Sequence, residues 1–285
     1  NWNILNGLDF KTSLGIDYIN GRRRNFVPKY YVSETQKNET NSLSKTWDRD
    51  FTWLWENLLT YDWKINDKNR LNLLGGITAQ KRVYELLEGT GRDFFSDNEN
   101  YWYLDQASAG SKSVANNGYH ETMMSYLFRA NYALMDRYLL TVSVRADGSS
   151  KFGPDNRWGY FPSVSGAWRI SEEPFMQDVK HIIDGLKLRA SYGTLGNQNL
   201  AGGDAASYYP TTPNLALGHI SMNGTPASLV TLNTLANPDI KWETTTMLDV
   251  GVDVTLFSKL NITADWYRKE TKDILMKLDM PLGIG

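Results

Sequence analysis

Few side chains of this sequence stand at a spacing that chemistry requires, and the clearest group is aromatic. Tyr101, Trp102 and Tyr103 follow one another in a polar stretch. Flat apolar rings of this kind stack on sugar rings, and they also pack within loops or against a partner protein. The residue types favour neither use over the other. We expect the triplet to contribute to a surface that binds a substrate or a partner.

An acidic run precedes the aromatic triplet and is the best candidate for a metal site. It contains Asp93, Asp97 and Glu99 together with Asn98 and Asn100, and such oxygen ligands suit Ca²⁺. The run lacks the fixed spacing of a known calcium loop, so a solvated loop is the favoured interpretation and a structural calcium ion the alternative. The three histidines are scattered. We expect no other metal and no cofactor.

Two adjacent carboxylates, Glu172 and Glu173, are of a type that could carry acid–base catalysis. They stand near the start of segment 171–185, which is typical of a helix because Ser171 suits the N-cap and Gly185 the end. Acidic residues in a first turn complement the helix dipole, and we favour that role. The sequence contains no G-x-S-x-G, H-E-x-x-H or phosphate-binding loop. We therefore expect no catalytic residues and no enzyme.

Composition excludes several classes of protein. The 285 residues carry 30 basic and 32 acidic side chains, a net charge of −2, which argues against binding to nucleic acid. Mean hydropathy is −0.46, and no stretch approaches 18 consecutive apolar residues, so membrane-spanning helices are not predicted. Cysteine is absent, which excludes disulfides and thiolate chemistry and suits the periplasm or the outer membrane.

Strict alternation of apolar and polar residues dominates the chain and is typical of strands with two different faces. In segment 50–65 one face carries Phe51, Trp53, Trp55, Leu59, Tyr61, Trp63 and Ile65. The opposite face carries Asp50, Thr52, Glu56, Thr60, Asp62 and Lys64. The same pattern predicts nine strands, at about 9–18, 50–65, 71–80, 124–132, 138–147, 158–170, 186–195, 240–256 and 260–275.

The predicted connections alternate in length. Short ones fall near 66–69, 134–137, 171–185 and 257–259, and long ones near 20–47, 86–119, 148–157 and 196–240. In segment 148–157 and its flanks we expect a tight turn shaped by Gly148, Gly153, Pro154 and Gly159. In 196–240 we expect a loop without regular structure, because the segment contains many breakers of regular structure: Gly202, Gly203, Pro210, Pro213, Gly218, Gly224 and Pro226. Segregated short and long connections are typical of an antiparallel up-and-down transmembrane β-barrel of the outer membrane.

Tryptophan spacing indicates which face meets lipid. Trp53 and Trp63 are ten residues apart on one face, and so are Trp158 and Trp168. Ten residues span about 33 Å along a strand, which projects to about 25 Å in a tilted strand, the height of the apolar band between two aromatic girdles. A sandwich core is the alternative. We expect these four tryptophans to form a lipid-facing girdle.

Longer motifs resemble one family. They are RADGSSKFGPDNRWGYFPSVSGAWRISEE at 145–173, DRYLLT at 136–141, LRASYGTLGNQ at 188–198, NPDIKWETT at 237–245 and DWYRKETKDIL at 265–275. The amino-acid sequences of these motifs and their order along the chain resemble those of the SusC/RagA-like TonB-dependent outer-membrane transporters of Bacteroidetes-type bacteria. The resemblance runs from about residue 50 to 277.

The resemblance implies a 22-stranded barrel with an N-terminal plug and a TonB-contacting segment. It also implies a SusD-like surface lipoprotein as partner and the import of glycans, oligosaccharides or peptides across the outer membrane. On this reading residues 1–285 are a partial barrel domain of about nine strands, with the plug, TonB box and C-terminal strands outside it. Arg145 and Asp147 would face the lumen or the plug.

A second hypothesis stays open at this stage. A soluble or surface-attached β-sheet protein, either a glycan-binding module or a glycoside hydrolase, would also show two-faced strands. The hydrolase would need two carboxylates about 5–10 Å apart in a cleft. Dependence on detergent separates these alternatives from a barrel segment.

Overall fold

The computed structural model describes residues 2–200, 208–222, 225–234 and 236–276. Its strands are β1 (Trp2–Leu5), β2 (Leu8–Val27), β3 (Tyr30–Ser33), β4 (Gln36–Asn38), β5 (Ser42–Asn66), β6 (Asn69–Arg92), β7 (Ser113–Leu134), β8 (Tyr138–Ser149), β9 (Trp158–Arg169), β10 (Ile183–Asn197), β11 (Asn214–Met222), β12 (Thr225–Thr234), β13 (Glu243–Leu256) and β14 (Leu260–Lys272). Short 3₁₀ helices span Glu99–Tyr101, Leu104–Gln106, Ala109–Ser111, Ile170–Glu172 and Pro174–Val179. Within these described residues, no helix is both long and apolar enough to cross a bilayer.

Ten strands form one sheet in the order β1-β2-β5-β6-β7-β8-β9-β10-β13-β14. Each neighbour in space is the next strand of that sheet along the chain, so the predicted all-β, antiparallel up-and-down fold is confirmed. The main sheet has ten strands among the described residues, one more than the nine predicted. The additional strand is β1, which pairs with β2 at Trp2↔Phe10 and at four residues is too short to show an alternating pattern.

The strands on either side of two predicted long connections extend further than their sequence pattern does. Strand β2 runs to Val27 and β5 begins at Ser42, while β6 runs to Arg92 and β7 begins at Ser113. The predicted limits of 20–47 and 86–119 were therefore too wide. In the extension of β2, polar residues such as Arg22 and Arg23 occupy both faces, so the contrast between the faces disappears although the backbone stays extended.

The predicted irregular loop at 196–240 contains a β-hairpin. Strands β11 and β12 pair from Asn214↔Thr234 to Met222↔Thr225, in a separate two-stranded sheet. Pro226 pairs with Ser221, which is tolerated because both strands of a two-stranded ribbon are edges. The prediction that glycine and proline would exclude regular structure was wrong here. Gly202, Gly203 and Gly224, on which that prediction also rested, lie outside the described residues.

The chain divides into two compact units. The first comprises Asn1–Leu14, Trp55–Gln80 and Thr122–Gly285, and the second comprises Gly15–Leu54 and Lys81–Glu121. The first unit contains the described short connections of the main sheet and the hairpin β11–β12, and the second contains the hairpin β3–β4 together with the 3₁₀ turns of segment 93–112.

The predicted helix at 171–185 is wrong. The segment forms two 3₁₀ helices, and β10 begins at Ile183. Glu173 between them is extended, with φ −77° and ψ 148°, because a residue before proline is disfavoured in the helical region. Its carboxylate accepts hydrogen bonds from Tyr138 Oη at 2.7 Å and Trp168 Nε1 at 3.0 Å, with Arg137 Nη1 at 3.4 Å. Glu173 therefore ties the connection to the ends of β8 and β9 and does not complement a helix dipole.

Two other short connections are two-residue turns with left-handed backbones. Met135 and Asp136 have φ of 53°, and Phe257 and Ser258 have φ of 51°. Paired positive φ values are those of the type I′ turn, whose twist matches that of a β-hairpin. These turns confirm the predicted connections near 134–137 and 257–259 and fix the registers of β7 with β8 and of β13 with β14.

Replacing Glu173 by glutamine should destabilise the protein at neutral pH. The hydrogen bonds from Tyr138 and Trp168 hold the pKa of Glu173 below its ordinary value. This stabilisation is fully present above the ordinary glutamate pKa of about 4.3 and is lost as the pH falls through the lower folded value. Thermal unfolding of the complete receptor in detergent should show a lower midpoint for Glu173→Gln at pH 7 and a shrinking difference in acid.

Glu172→Gln is the matched control for that substitution. Glu172 forms ion pairs with the exposed cations of Arg169 at 3.9 Å and Lys180 at 3.5 Å, and such pairs contribute little. An effect of Glu172→Gln as large as that of Glu173→Gln would contradict the assigned role.

Residues 1–285 produced alone should aggregate in the absence of detergent. Strand β14 ends the order of the sheet, and β2 beyond Phe10 has no partner on its β1 side among the described residues. Unpaired strand edges template association in water, and the exposed apolar side chains add to it. Size-exclusion chromatography and denaturation are the measurements. A monodisperse, detergent-free species that unfolds cooperatively would contradict this expectation.

Candidate functional site

One face of the sheet in the first unit is apolar and uncovered. Ala130, Val142 and Val164 are cross-strand partners on this face, in β7, β8 and β9. Val142 is 42% exposed and Val164 43% exposed, although each lies in a central strand. We call this surface the apolar face. A soluble sheet buries such residues against a second layer, which is missing from this face in the part of the chain that the structure describes.

Two stacked aromatic pairs mark the ends of β9 on the apolar face. Trp158 stacks on Tyr126 with ring centroids 5.7 Å apart, and Trp168 stacks on Tyr138 at 6.2 Å. A Cβ added at Gly148 would lie 3.0 Å from the Trp158 ring. Gly148 thus belongs to β8 and makes room for a ring, and the expectation that it shapes the turn was wrong.

The other two predicted girdle residues lie on β5. Trp63 is exposed and stacks on Tyr61 with centroids 6.3 Å apart. Trp53 is half-buried and belongs to the second unit. Contact of Trp53, Trp63, Trp158 and Trp168 with lipid stays a prediction.

The face opposite the apolar face is polar, and Arg145 and Asp147 lie on it together. Arg145 Nε donates to both carboxylate oxygens of Asp147 at 2.7 and 2.9 Å, and Arg145 Nη2 donates to Ser125 Oγ at 3.2 Å. Asp147 and Ser125 are buried. The structure therefore brings the two residues together as an ion pair within one strand, and their contact with a lumen or a plug stays a prediction.

A larger charged cluster on the polar face centres on Arg189. Its guanidinium lies 2.6 Å from Asp265, 3.2 Å from Asp253 and 3.6 Å from Asp249. The register places all four residues on adjacent strands β10, β13 and β14. Sequence reasoning missed this cluster. The alternation of Asp249 and Asp253 on the polar face of β13 was the available signal.

The second unit has a similar arrangement around Arg82. Arg82 Nε donates to both oxygens of Asp50 at 3.0 Å, Nη1 lies 3.8 Å from Glu121, and the guanidinium lies 5.5 Å from the Tyr119 ring centroid. Here too the cation is neutralised by carboxylates of neighbouring strands.

A small aromatic core lies beside Arg145 and was not predicted. The Trp242 ring lies 5.1 Å from Phe152 and 5.4 Å from Phe161, and Trp242 Nε1 donates to the carbonyl of Arg157 at 3.1 Å. A Cβ at Gly196 would overlap the Phe161 ring, so a larger residue there would displace it. The cluster joins two of the sequence motifs, around 145–173 and 237–245, that the sequence alone left unconnected.

These groups surround a cleft of about 780 Å³ in the first unit. Its lining combines the Arg145–Asp147 pair with aromatic residues and with hydroxyl and amide groups. Among them are Phe161, Trp242, Ser163, Ser191, Asn197 and Asn199. Asp147 is the one carboxylate lining this cleft in the described chain. Such a lining can hydrogen-bond and stack on a polar chain molecule, and it lacks the second carboxylate that glycoside hydrolysis needs.

The aromatic triplet is divided by the fold. Trp102 stacks on Phe26 with centroids 4.5 Å apart and donates from Nε1 to the Asp97 carbonyl at 3.1 Å, so it serves packing. Tyr101 and Tyr103 are exposed, Tyr103 at 62%, with Lys45 Nζ 4.8 Å from the Tyr103 ring centroid. Only the two tyrosines present surface for a ligand or a partner.

The acidic run contacts other side chains of the second unit. Asp97 accepts from Asn41 Nδ2 at 2.6 Å, Asp93 lies 3.3 Å from Lys29 Nζ, and Glu99 forms an ion pair with Arg24. A search of the described residues finds no group of three or more histidine, aspartate or glutamate side chains that could hold a metal ion. The structure therefore adds no support for the calcium alternative.

Comparison with known proteins is consistent with this architecture. A family model described as "TonB dependent receptor-like, beta-barrel" matches residues 1–284. TonB-dependent receptor P26 of Formosa agariphila is 30% identical over 276 residues, which are 96% of this chain and 27% of that receptor. TonB-dependent receptor SusC of Bacteroides thetaiotaomicron is 38% identical over 164 residues, 57% of this chain and 16% of SusC.

Solved structures agree. The structure of the RagAB peptide transporter superposes with a TM-score of 0.83 at 25% identity, over 97% of this chain and 30% of that chain. The chain thus spans less than a third of the proteins it matches. The resemblance found in the sequence motifs is confirmed. Since the family match covers almost every residue, the chain belongs to the TonB-dependent receptor-like β-barrel family.

Proposed function

We propose that this chain forms part of the wall of an outer-membrane transporter that imports glycans or peptides. The observation that carries the proposal is the apolar face, an exposed aliphatic band bounded by the Tyr126–Trp158 and Tyr138–Trp168 pairs. Outer-membrane barrels carry such a band between aromatic girdles, whereas soluble proteins rarely expose one. The relatives support the same activity, since one is SusC and one solved neighbour is a peptide transporter.

In this proposal Trp53, Trp63, Trp158 and Trp168 lie at the boundaries between lipid and water. Indole rings favour that position because one edge is apolar and the N–H finds a polar partner. Trp168 meets this requirement through its hydrogen bond to Glu173.

The polar face then lines the lumen. Arg145 and Asp147 lie in the cleft of about 780 Å³, where hydroxyl and amide groups would contact a passing solute or a plug. The alternative of a glycoside hydrolase finds no support in this cleft, which has a single lining carboxylate in the described chain. The family is one of transporters, and we assign this chain no covalent chemistry.

The long connections would meet partners at the outer surface. A SusD-like lipoprotein is the partner we propose there, with Tyr101 and Tyr103 and the hairpin β11–β12 contributing surface. Energy coupling through TonB belongs, in this proposal, to another part of the complete receptor.

Introducing arginine on the apolar face should be far more costly than on the polar face one residue away. Val142→Arg places a cation in the middle of the proposed lipid band, at a cost of about 2–4 kcal/mol. Thr141→Arg is the control, because Thr141 lies on the polar face. This substitution removes the 2.9 Å hydrogen bond from Thr141 to Asn131, at a cost of about 1 kcal/mol. Unfolding of the complete receptor in lipid vesicles measures both. Equal costs would contradict the face assignment.

Deleting the hairpin β11–β12 should weaken capture of the lipoprotein and nutrient uptake while the barrel still assembles. Residues 214–234 form their own two-stranded sheet, so their removal leaves the pairing of the main sheet intact. Co-purification of the lipoprotein and growth on the transported nutrient are the measurements, and Glu172→Gln at a short connection is the control, which should leave both unchanged.

Two outcomes of this experiment count against the proposal in different ways. Unchanged capture and uptake after removal of the hairpin would exclude its role at the partner surface. Unchanged uptake in cells that lack the whole receptor, tested across glycan and peptide sources, would exclude the proposed function itself.

A further inference from the structure

A groove of about 650 Å³ lies in the second unit and is not used by the transport proposal. Leu87, Leu104 and Val114 line it and are called its apolar floor below. Arg22, Lys45 and Trp47 line it as well and are called its rim. Leu87 and Val114 are exposed. The groove therefore combines an uncovered apolar floor with a basic edge.

Contacts between β2 and β5 show which face of the strands carries the groove. Tyr18 meets Phe51 edge-on with centroids 6.4 Å apart, and Trp47 Nε1 donates to Asn20 Oδ1 at 2.8 Å. Alternation along β2 puts Arg22 on the face of Tyr18 and Asn20. Alternation along β5 likewise puts Lys45 and Trp47 on the face of Phe51, the one proposed to meet lipid.

Arg22 and Lys45 of the rim have no carboxylate partner among the described residues. Three arginines follow one another at 22–24, and among the described residues only Arg24 has a carboxylate partner, Glu99. Arg22 and Arg23 form no ion pair within the described residues. Lys45 lies over the Tyr103 ring and has no carboxylate partner in the same part of the chain. Exposed cations next to an apolar surface match the two halves of an anionic lipid, a charged headgroup and acyl chains.

We propose that this groove binds a phosphorylated, acylated lipid of the outer leaflet, with its phosphate at Arg22 and Lys45 and an acyl chain along Leu87, Leu104 and Val114. The groove lies near the long connections 28–41 and 93–112, which the proposed function places at the outer surface. The inference rests on the proposed function in one respect, which is that the lipid belongs to the outer leaflet. The charge of the rim and the apolar floor select the class of ligand.

The test compares lipid binding by the complete receptor and by a double variant, Arg22→Gln with Lys45→Gln. Purified receptor is titrated with diphosphorylated lipid A in detergent micelles, and bound lipid is counted by native mass spectrometry. Each cation near an anionic headgroup is worth about a factor of five, so the double variant should bind about thirtyfold more weakly. Lipid A without phosphate should bind both proteins weakly.

The matched control removes one arginine and one lysine elsewhere. Arg70→Gln with Lys64→Gln lies at the short β5–β6 connection, where the two cations pair with Asp136 and Asp67. This control should bind phosphorylated lipid A as the parent does.

Three results would overturn the site. They are equal binding by the parent and the groove variant, equal binding of lipid with and without phosphate, and displacement of the lipid by millimolar inorganic phosphate, which would indicate an ion site only.

Failure of the proposed function is measured separately, by cell fractionation and by nutrient uptake. A groove variant that resides in the outer membrane and transports normally, yet loses the lipid, supports both proposals. A receptor found outside the outer membrane overturns both.

Discussion

Hydrogen bonds between neighbouring strands hold this fold together, because very few side chains are buried. In the described residues only six hydrophobic side chains are buried, in two small clusters: Leu43, Phe94 and Ala107, and Phe152, Phe161 and Trp242. A sheet in water needs a second layer to bury its apolar face. Within the described residues that face stays uncovered, so backbone pairing carries much of the fold, and the proposed lipid environment would supply what a hydrophobic core supplies elsewhere.

Side-chain hydrogen bonds and small aromatic clusters stabilise the connections between strands. At a short connection, buried Glu173 receives hydrogen bonds from Tyr138 and Trp168, so one carboxylate secures the turn and orients two rings of the apolar face. At the long connection 150–157, Phe152 and Phe161 pack on Trp242. The core thus lies where the chain leaves the sheet and backbone pairing ends.

Much of the sheet could be predicted from the sequence, since period-two alternation reports which residues share a face. It predicted β8 and β9 and the turn before β8 to within a few residues, but it placed the start of β7 near residue 124 where the strand begins at Ser113. It failed where both faces become polar, as in β2 beyond Asn20, and where Pro174 broke an apparent helix. Contacts between distant residues were also out of reach. Nothing in the pattern around Phe161 shows that its partner is Trp242. Likewise, Trp102 is packed while Tyr101 and Tyr103 are exposed because Trp102 stacks on the distant Phe26.

The distribution of charge separates the two faces functionally. Arg145, Arg189 and Arg82 on the polar face each contact at least one aspartate within 3.2 Å, so their cations are neutralised in place. If this face lines the lumen, as proposed, it would offer hydroxyl and amide groups to a solute without holding it by net charge, which suits release as well as binding. Arg22, on the opposite face, has no carboxylate partner among the described residues. In the proposed arrangement such a cation meets water and anionic headgroups, whereas the same cation in the lumen would retain any acidic substrate that passed.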